Sequence, residues 1–275
     1  MALNNTQQRI ISAIVLILIV VLFVYNGSFP TKIFIIITGL LTCDEIIVNF
    51  LKKSRTGKTY QLNITAFLLL SFSLLFFEDI KIKFFQFFVI AVLLHGFLLS
   101  YLFLTKIENH FIKKLLSSGK LPIVLFLFPS FSMLIFITDK IYWVKYLVLL
   151  LVLTFATDTG AWFFGKLFGK HKLWQTISPK KTIEGLIGGV FTSAFLSTLV
   201  YYLFFNEFRF DYFTSFALLS LLSHLGDLVQ SKVKREFEVK DSSALIPGHG
   251  GVYDRIDSLL FVSPFFVGFL TFIGK

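Results

Sequence analysis

The chain has 275 residues, 56% of them hydrophobic and only 15% charged. A single soluble core of that length cannot bury so much apolar side chain, which excludes an ordinary water-soluble domain and makes the bilayer the solvent. The formal net charge of +10 is spread between apolar runs, which points to membrane orientation and phosphate-bearing substrates and away from nucleic acid.

In chain order, apolar runs of spanning length fall near 10–26, 31–51, 60–77, 84–104, 121–137, 141–163, 183–205, 211–226 and 257–273. They predict an all-α polytopic integral membrane protein with about nine transmembrane helices. The first run follows Arg9, and Tyr25, Asn26 and Phe29 make no small-residue cleavage site, so it is expected to stay as a span. Cys43, the only cysteine, lies in an apolar run; within one chain it can build neither a disulfide nor a zinc site of paired cysteines, and a packing role is expected. Asp44 and Glu45 fall well inside the second run, where charge is expensive, so one is expected to be neutral or to face a wet cavity.

Of the 26 Lys and Arg residues, alternating loops receive 19 on one side and 7 on the other. The basic side is the cytoplasmic one by the positive-inside rule, which puts the N-terminus there and the C-terminus across the membrane. Loops in the first half look generic, whereas those in the second half are dense in Gly, Asp, Lys and His. The expected organisation is therefore a set of N-terminal transmembrane helices over 1–137 and a catalytic region over 138–275, with cytoplasmic loops 164–182 and 227–256.

Residues 224–235 read HLGDLVQSKVKR. If the helix continues out of the membrane, Asp227, Ser231, Lys234 and Arg235 share one face at i, i+4, i+7 and i+8. Residues 240–258 read KDSSALIPGHGGVYDRIDS. There Gly248, Gly250 and Gly251 let backbone approach a phosphate, His249 can donate to one, and Asp254 and Asp257 lie three residues apart at the start of the last span. Carboxylates beside several cations and a glycine loop suit nucleotide phosphates bridged by Mg2+, with Asp227, Asp254 and Asp257 as candidate ligands. A third segment, 157–189, carries Gly165, Gly169 and several lysines. In it Ser178 could cap a helix with Pro179 at its first position, placing Lys180 and Lys181 beside an anion-attracting helix N-terminus.

The stretch Ser231–Asp257, SKVKREFEVKDSSALIPGHGGVYDRID, resembles the signature of phosphatidate cytidylyltransferases through Ser231, Lys234, Arg235, Lys240, Asp241, Pro247, His249, Gly250, Gly251, Asp254, Arg255 and Asp257. Upstream, Asp158-Thr159-Gly160 and Ser178-Pro179-Lys180-Lys181-Thr182 are also similar to family segments, so the likeness covers about the last 120 residues. Gln230 stands where the family more often has an acid, and Ile183 where an aromatic residue is common. The resemblance implies a Mg2+-dependent, often dimeric, all-helical membrane enzyme with CTP and phosphatidic acid as substrates and CDP-diacylglycerol and pyrophosphate as products; the short loops and the lack of an added targeting domain point to a bacterial inner membrane. It implies a metal site on Asp227 and Asp254, with a second ion, K+ or Mg2+, assisting.

On that expectation Asp227 and Asp254 are metal ligands and Asp257 a ligand or a neighbour of one. Lys234, Arg235, Lys240 and Arg255 contact phosphates, His249 donates to a phosphate, and Lys180 and Lys181 hold the lipid phosphate or the nucleotide. Ser231, Asp241, Gly250 and Gly251 complete the substrate-binding set. No Ser-His-Asp nucleophile is needed, because a phosphate monoester is itself ionised near neutral pH and alignment with charge neutralisation supplies the catalysis. The rivals are a CTP-dependent polyprenol kinase, a cytidylyltransferase of ether or isoprenoid lipids and, from another class, a transporter using Asp44, Glu45, His95 and Asp158 as an intramembrane ion path.

Overall fold

A computed structural model describes residues 5–76, 80–118 and 121–274, without the side chains of residues 5, 6 and 80–83. The expected end of the third span at Phe77 and the basic residues Lys120 and Lys275 lie outside the described residues, as do the side chains of Lys81 and Lys83. Among the described residues the chain forms ten α-helices and one two-stranded hairpin. Eight helices are long and apolar enough to cross a membrane, and nine crossings result if the bent pair Ile107–Ser118 and Pro122–Ile137 counts as one. The all-α polytopic expectation therefore holds.

The chain divides into two compact units, neither contiguous in sequence. The first takes residues up to Leu94, then Thr105–Asp139 and Val233–Ile256. It contains α1 (Asn5–Tyr25), α2 (Ser28–Glu45) with a π-helical turn over Ile46–Phe50, α3 (Lys58–Phe76), most of α4 (Ile80–Leu104), α5 (Phe111–Ser118) and α6 (Pro122–Ile137). α6 is buried almost throughout, which is why its residues are apolar on every side. Pro122 opens that helix, and buried Asn63 of α3 accepts a hydrogen bond from the Val124 N–H at 3.2 Å, satisfying a donor that the first helical turn leaves unpaired. The π-helical turn begins directly after Glu45; such turns are frequent at functional sites.

The second unit comprises His95–Leu104, Lys140–Lys232 and the chain from Asp257 onward. Its centre is the pair α7 (Trp143–Phe168) and α8 (Ile183–Phe205). Thr157, Ala161 and Gly165 on α7 recur every four residues, as do Gly185 and Gly189 on α8. A Cβ added at Gly189 would lie 2.7 Å from the Thr157 carbonyl oxygen, and one at Gly185 2.7 Å from that of Ala161. The helices thus touch backbone to backbone, the small-residue packing by which membrane helices associate where water provides no driving force. The buried Ser193 hydroxyl donates across this seam to the Leu153 carbonyl at 2.8 Å.

Two lysines cap helices in this unit. The Lys232 side chain is buried and its ammonium donates to the Tyr101 and Leu102 carbonyls at 2.7 and 3.1 Å, closing the C-terminus of α4 over the Tyr101 ring. Lys145 does the same for α8 through the Phe204 carbonyl at 2.7 Å. Both put positive charge where the helix dipole and the unpaired carbonyls attract it.

One local expectation fails. Ser178 opens no helix; Ser178–Thr182 forms β2 and pairs antiparallel with β1, Lys172–Trp174. The cap is Thr182, whose Oγ1 accepts from the Gly185 N–H at 3.1 Å at the start of α8. Lys180 and Lys181 therefore sit on a strand just ahead of a helix. α9 (Phe210–Glu236) runs unbroken past the expected membrane exit, so Asp227, Ser231, Lys234 and Arg235 keep their helical spacing, and α10 (Tyr253–Phe272) begins one residue before Asp254. The connection between α9 and α10 is thereby reduced to residues 237–252.

Candidate active site

In the first unit, the loop between α9 and α10 is organised by two carboxylates rather than by regular structure. Buried Glu45, the last residue of α2, accepts from Ser242 Oγ at 2.8 Å, Ser243 Oγ at 2.6 Å, the Val252 N–H at 2.8 Å and the Tyr253 N–H at 2.9 Å. Asn49, one turn on, donates to the Ser242 carbonyl at 2.8 Å. Asp254 Oδ2 accepts from the Ser242 N–H at 2.7 Å and the Gly251 N–H at 3.0 Å and lies 3.0 Å from Ser242 Oγ, whose one hydrogen it shares with Glu45, while Oδ1 takes the Lys234 ammonium at 2.8 Å. Its side chain is only 4% exposed. Carboxylates so placed in a medium of low polarity hold their donors firmly.

The glycines follow from this crowding. A side chain at Gly251 would run into Ser242 Oγ and come within 2.6 Å of Glu45 Oε1. Gly250 adopts φ +84°, and a Cβ there would meet Asp254 Oδ2 at 2.8 Å. The Ile246 N–H donates to the Gly250 carbonyl at 2.8 Å and the His249 N–H to the Ile246 carbonyl at 2.9 Å, closing a tight turn with His249 at its bend. Burial, with the Arg255 and Arg9 guanidiniums nearby, lowers the His249 pKa below the ordinary imidazole value. Arg235, Lys240, Asp241 and Arg255 are exposed, so three cations and one acid lie on the surface set on the carboxylate framework, a balance that attracts anions.

In the second unit, Lys181 Nζ stands 2.8 Å from Asp227 Oδ2, and Ser231 Oγ donates to Asp227 Oδ1 at 3.3 Å. The lysine contact is an ion pair without hydrogen-bond alignment, since buried Nζ has no hydrogen-bond partner among the described residues. Lys180 is exposed beside it. His224 and Gln230 on α9 are buried with no hydrogen-bond partner for either ring nitrogen or either amide atom among the described residues. Asp257 Oδ1 accepts from the Ser258 N–H at 2.7 Å and belongs to the run assigned to this unit.

The sequence-derived set thus falls into two groups, Lys234, Arg235, Lys240, Asp241, His249, Gly250, Gly251, Asp254 and Arg255 in the first unit, and Lys180, Lys181, Asp227, Ser231 and Asp257 in the second. Sequence reasoning missed the role of Glu45, although an acid deep in an apolar run was the signal for it, and missed Ser242 and Ser243, which carry no signal of their own. Asp44, the preceding residue and less buried, is paired with Arg55 at 2.8 and 2.9 Å and the Tyr60 hydroxyl at 3.0 Å.

The donor chemistry fits a hard divalent cation. Asp227 Oδ2 in the second unit and Asp254 Oδ1 in the first each face a lysine ammonium at 2.8 Å. Among the described residues no three His, Cys, Asp or Glu side chains converge on one point. An ion held by either carboxylate would take its remaining ligands from water and substrate oxygens, which is the habit of Mg2+ and not of zinc.

Comparison with known proteins places the chain among relatives. A model of the cytidylyltransferase family matches residues 7–273. A phosphatidate cytidylyltransferase of Staphylococcus aureus is 49% identical over 120 residues, 43% of this chain and 46% of the relative. That of Staphylococcus haemolyticus is 47% identical over 130 residues, 46% of this chain and 48% of the relative, and that of Staphylococcus epidermidis 47% over 122 residues. The chain thus spans about half the length of the curated relatives it matches. With the family model covering nearly every residue, this chain belongs to the cytidylyltransferase family.

Proposed function

We propose that the protein transfers CMP from CTP to phosphatidic acid, releasing pyrophosphate and leaving CDP-diacylglycerol in the bilayer. The observation that carries this reading is the 240–253 loop, held on Glu45 and Asp254 and presenting His249 and Lys240, with Arg255 in the first turn of α10, at the end of apolar helices. A substrate with a polyanionic head and acyl tails matches that placement.

In the proposed reaction a phosphate oxygen of phosphatidic acid forms a bond to the α-phosphorus of CTP as the bond to the bridging α–β oxygen breaks, and the electron pair leaves with pyrophosphate. Lys234, Arg235, Lys240 and Arg255 bind and orient the triphosphate, and His249 donates a hydrogen bond to a phosphate oxygen. Lys181 and Lys180 hold the lipid phosphate or the nucleotide. Mg2+, when bound by Asp227 and Asp254, with Asp257 as a ligand or a neighbour, would neutralise triphosphate charge; K+ or a second Mg2+ is the assisting ion in this reading.

The proposal also places the protein in a bacterial inner membrane as a homodimer, with the N-terminus and the catalytic loops in the cytoplasm and the C-terminus across the membrane. Cross-linking in native membranes tests the dimer. Product analysis tests the reaction. Pyrophosphate together with a CDP-lipid supports cytidylyl transfer, whereas release of CDP with a phosphorylated lipid alcohol would replace it with a kinase.

A further inference from the structure

The first helix, α1, places apolar side chains such as Ile10, Ile14, Ile17, Leu18 and Val21 on its exposed surface, as a lipid-facing helix does. Its first turns are different, because they reach the Pro247–His249 turn of the catalytic loop within the same unit. Arg9 Nε donates to the Gly248 carbonyl at 2.9 Å. Ser12 Oγ lies 2.7 Å from His249 Nδ1, 3.0 Å from the Pro247 carbonyl and 3.1 Å from the Arg9 carbonyl. Gly248 is at φ +74°, and a Cβ there would stand 2.8 Å from Arg9 Cγ, so the close approach of α1 is built into the loop as well.

A serine hydroxyl has one hydrogen and here three acceptors within reach. Hydroxyl donors favour about 2.7–2.8 Å, whereas N–H donors to oxygen favour about 2.9–3.0 Å. Of the three acceptors Nδ1 is the nearest, at 2.7 Å, and the two carbonyls lie farther off. A neutral imidazole that accepts at Nδ1 must carry its proton on Nε2. The groups that act on the ring are Arg9 from α1 and Arg255 from α10, both cationic, so an anion is the species this corner favours.

We propose that Ser12 is a positioning residue for His249, its hydroxyl donating to Nδ1 so that Nε2–H is held ready to donate to a substrate phosphate, with Arg9 fixing the turn through the Gly248 carbonyl. The inference rests on the proposed phosphoryl chemistry and extends the site to a helix that the sequence marked only as a first span.

The test uses the full chain in mixed micelles with 15N-labelled histidine, His249 being assigned by its loss in His249→Gln. The wild type is expected to show the Nε2–H tautomer. Ser12→Ala should admit the Nδ1–H form and lower kcat/KM for CTP about tenfold, the cost of one lost hydrogen bond at a reacting site. Ser12→Thr, which keeps the hydroxyl, should restore both. An Nδ1–H wild type, or Ser12→Ala with unchanged tautomer and rate, overturns the proposal. If Ser12→Ala does not fold, the wild-type and Ser12→Thr spectra still decide. Absence of any CDP-lipid synthesis by a wild type that shows the Nε2–H tautomer would overturn the functional reading and leave the Ser12–His249 contact standing.

Discussion

At Glu45, two hydroxyls and two backbone N–H groups from the distant loop converge on one buried carboxylate, the nearest of them 197 residues away in sequence. Removing it leaves those donors unpaired in a medium that cannot supply substitutes. Glu45→Ala is expected to lower stability by about 3 kcal/mol and to open residues 240–253 to protease, read by thermal unfolding in detergent and by limited digestion. Asp254→Asn should leave the protein inserted but less stable by about 1–3 kcal/mol, since the amide sets a donor against Lys234 or the backbone N–H groups, and should reduce turnover by about a hundredfold or more. His249 should titrate below the ordinary value of about 6.5. Its contribution to stability is present above the unfolded-state pKa and is lost as pH falls through the lowered folded value; an NMR titration checks this, and Arg9→Gln should move the midpoint upward. Most of the site was legible in the sequence because acids, bases and glycines cluster in two loops. Glu45 was legible only as an anomaly, since nothing local says which donors a lone acid will gather.

Elements carry the site by two devices, close helix packing and capped helix ends. Gly189 lies where even a Cβ comes 2.7 Å from the Thr157 carbonyl oxygen, so Gly189→Val should separate α7 from α8 and cost about 1–3 kcal/mol in thermal unfolding. Lys232→Met should cost about the same by leaving the Tyr101 and Leu102 carbonyls without their donor. The spans were readable because length and hydropathy dictate them in a bilayer. The hairpin was not, because Ser178-Pro179 has the chemistry of a helix start and only its pairing with Lys172–Trp174 makes the segment a strand. Likewise Lys232 reads in the sequence as one more cytoplasmic cation, and only the fold turns it inward.

For the whole molecule, the number of crossings decides where the termini lie. Eight crossings return the C-terminus to the side of the N-terminus, whereas counting Ile107–Ser118 with Pro122–Ile137 as a ninth sends it across. The charge asymmetry favours nine, and a cysteine placed at the C-terminus in a Cys43→Ala background is expected to label from the side opposite Arg9 in sealed vesicles; labelling from the same side would establish eight. The most direct test of the account is synthesis by purified protein in mixed micelles given CTP, Mg2+ and phosphatidic acid, with each omitted in turn. Stoichiometric pyrophosphate and CDP-lipid that require all three are the predicted result, and folded protein that forms neither product would contradict it.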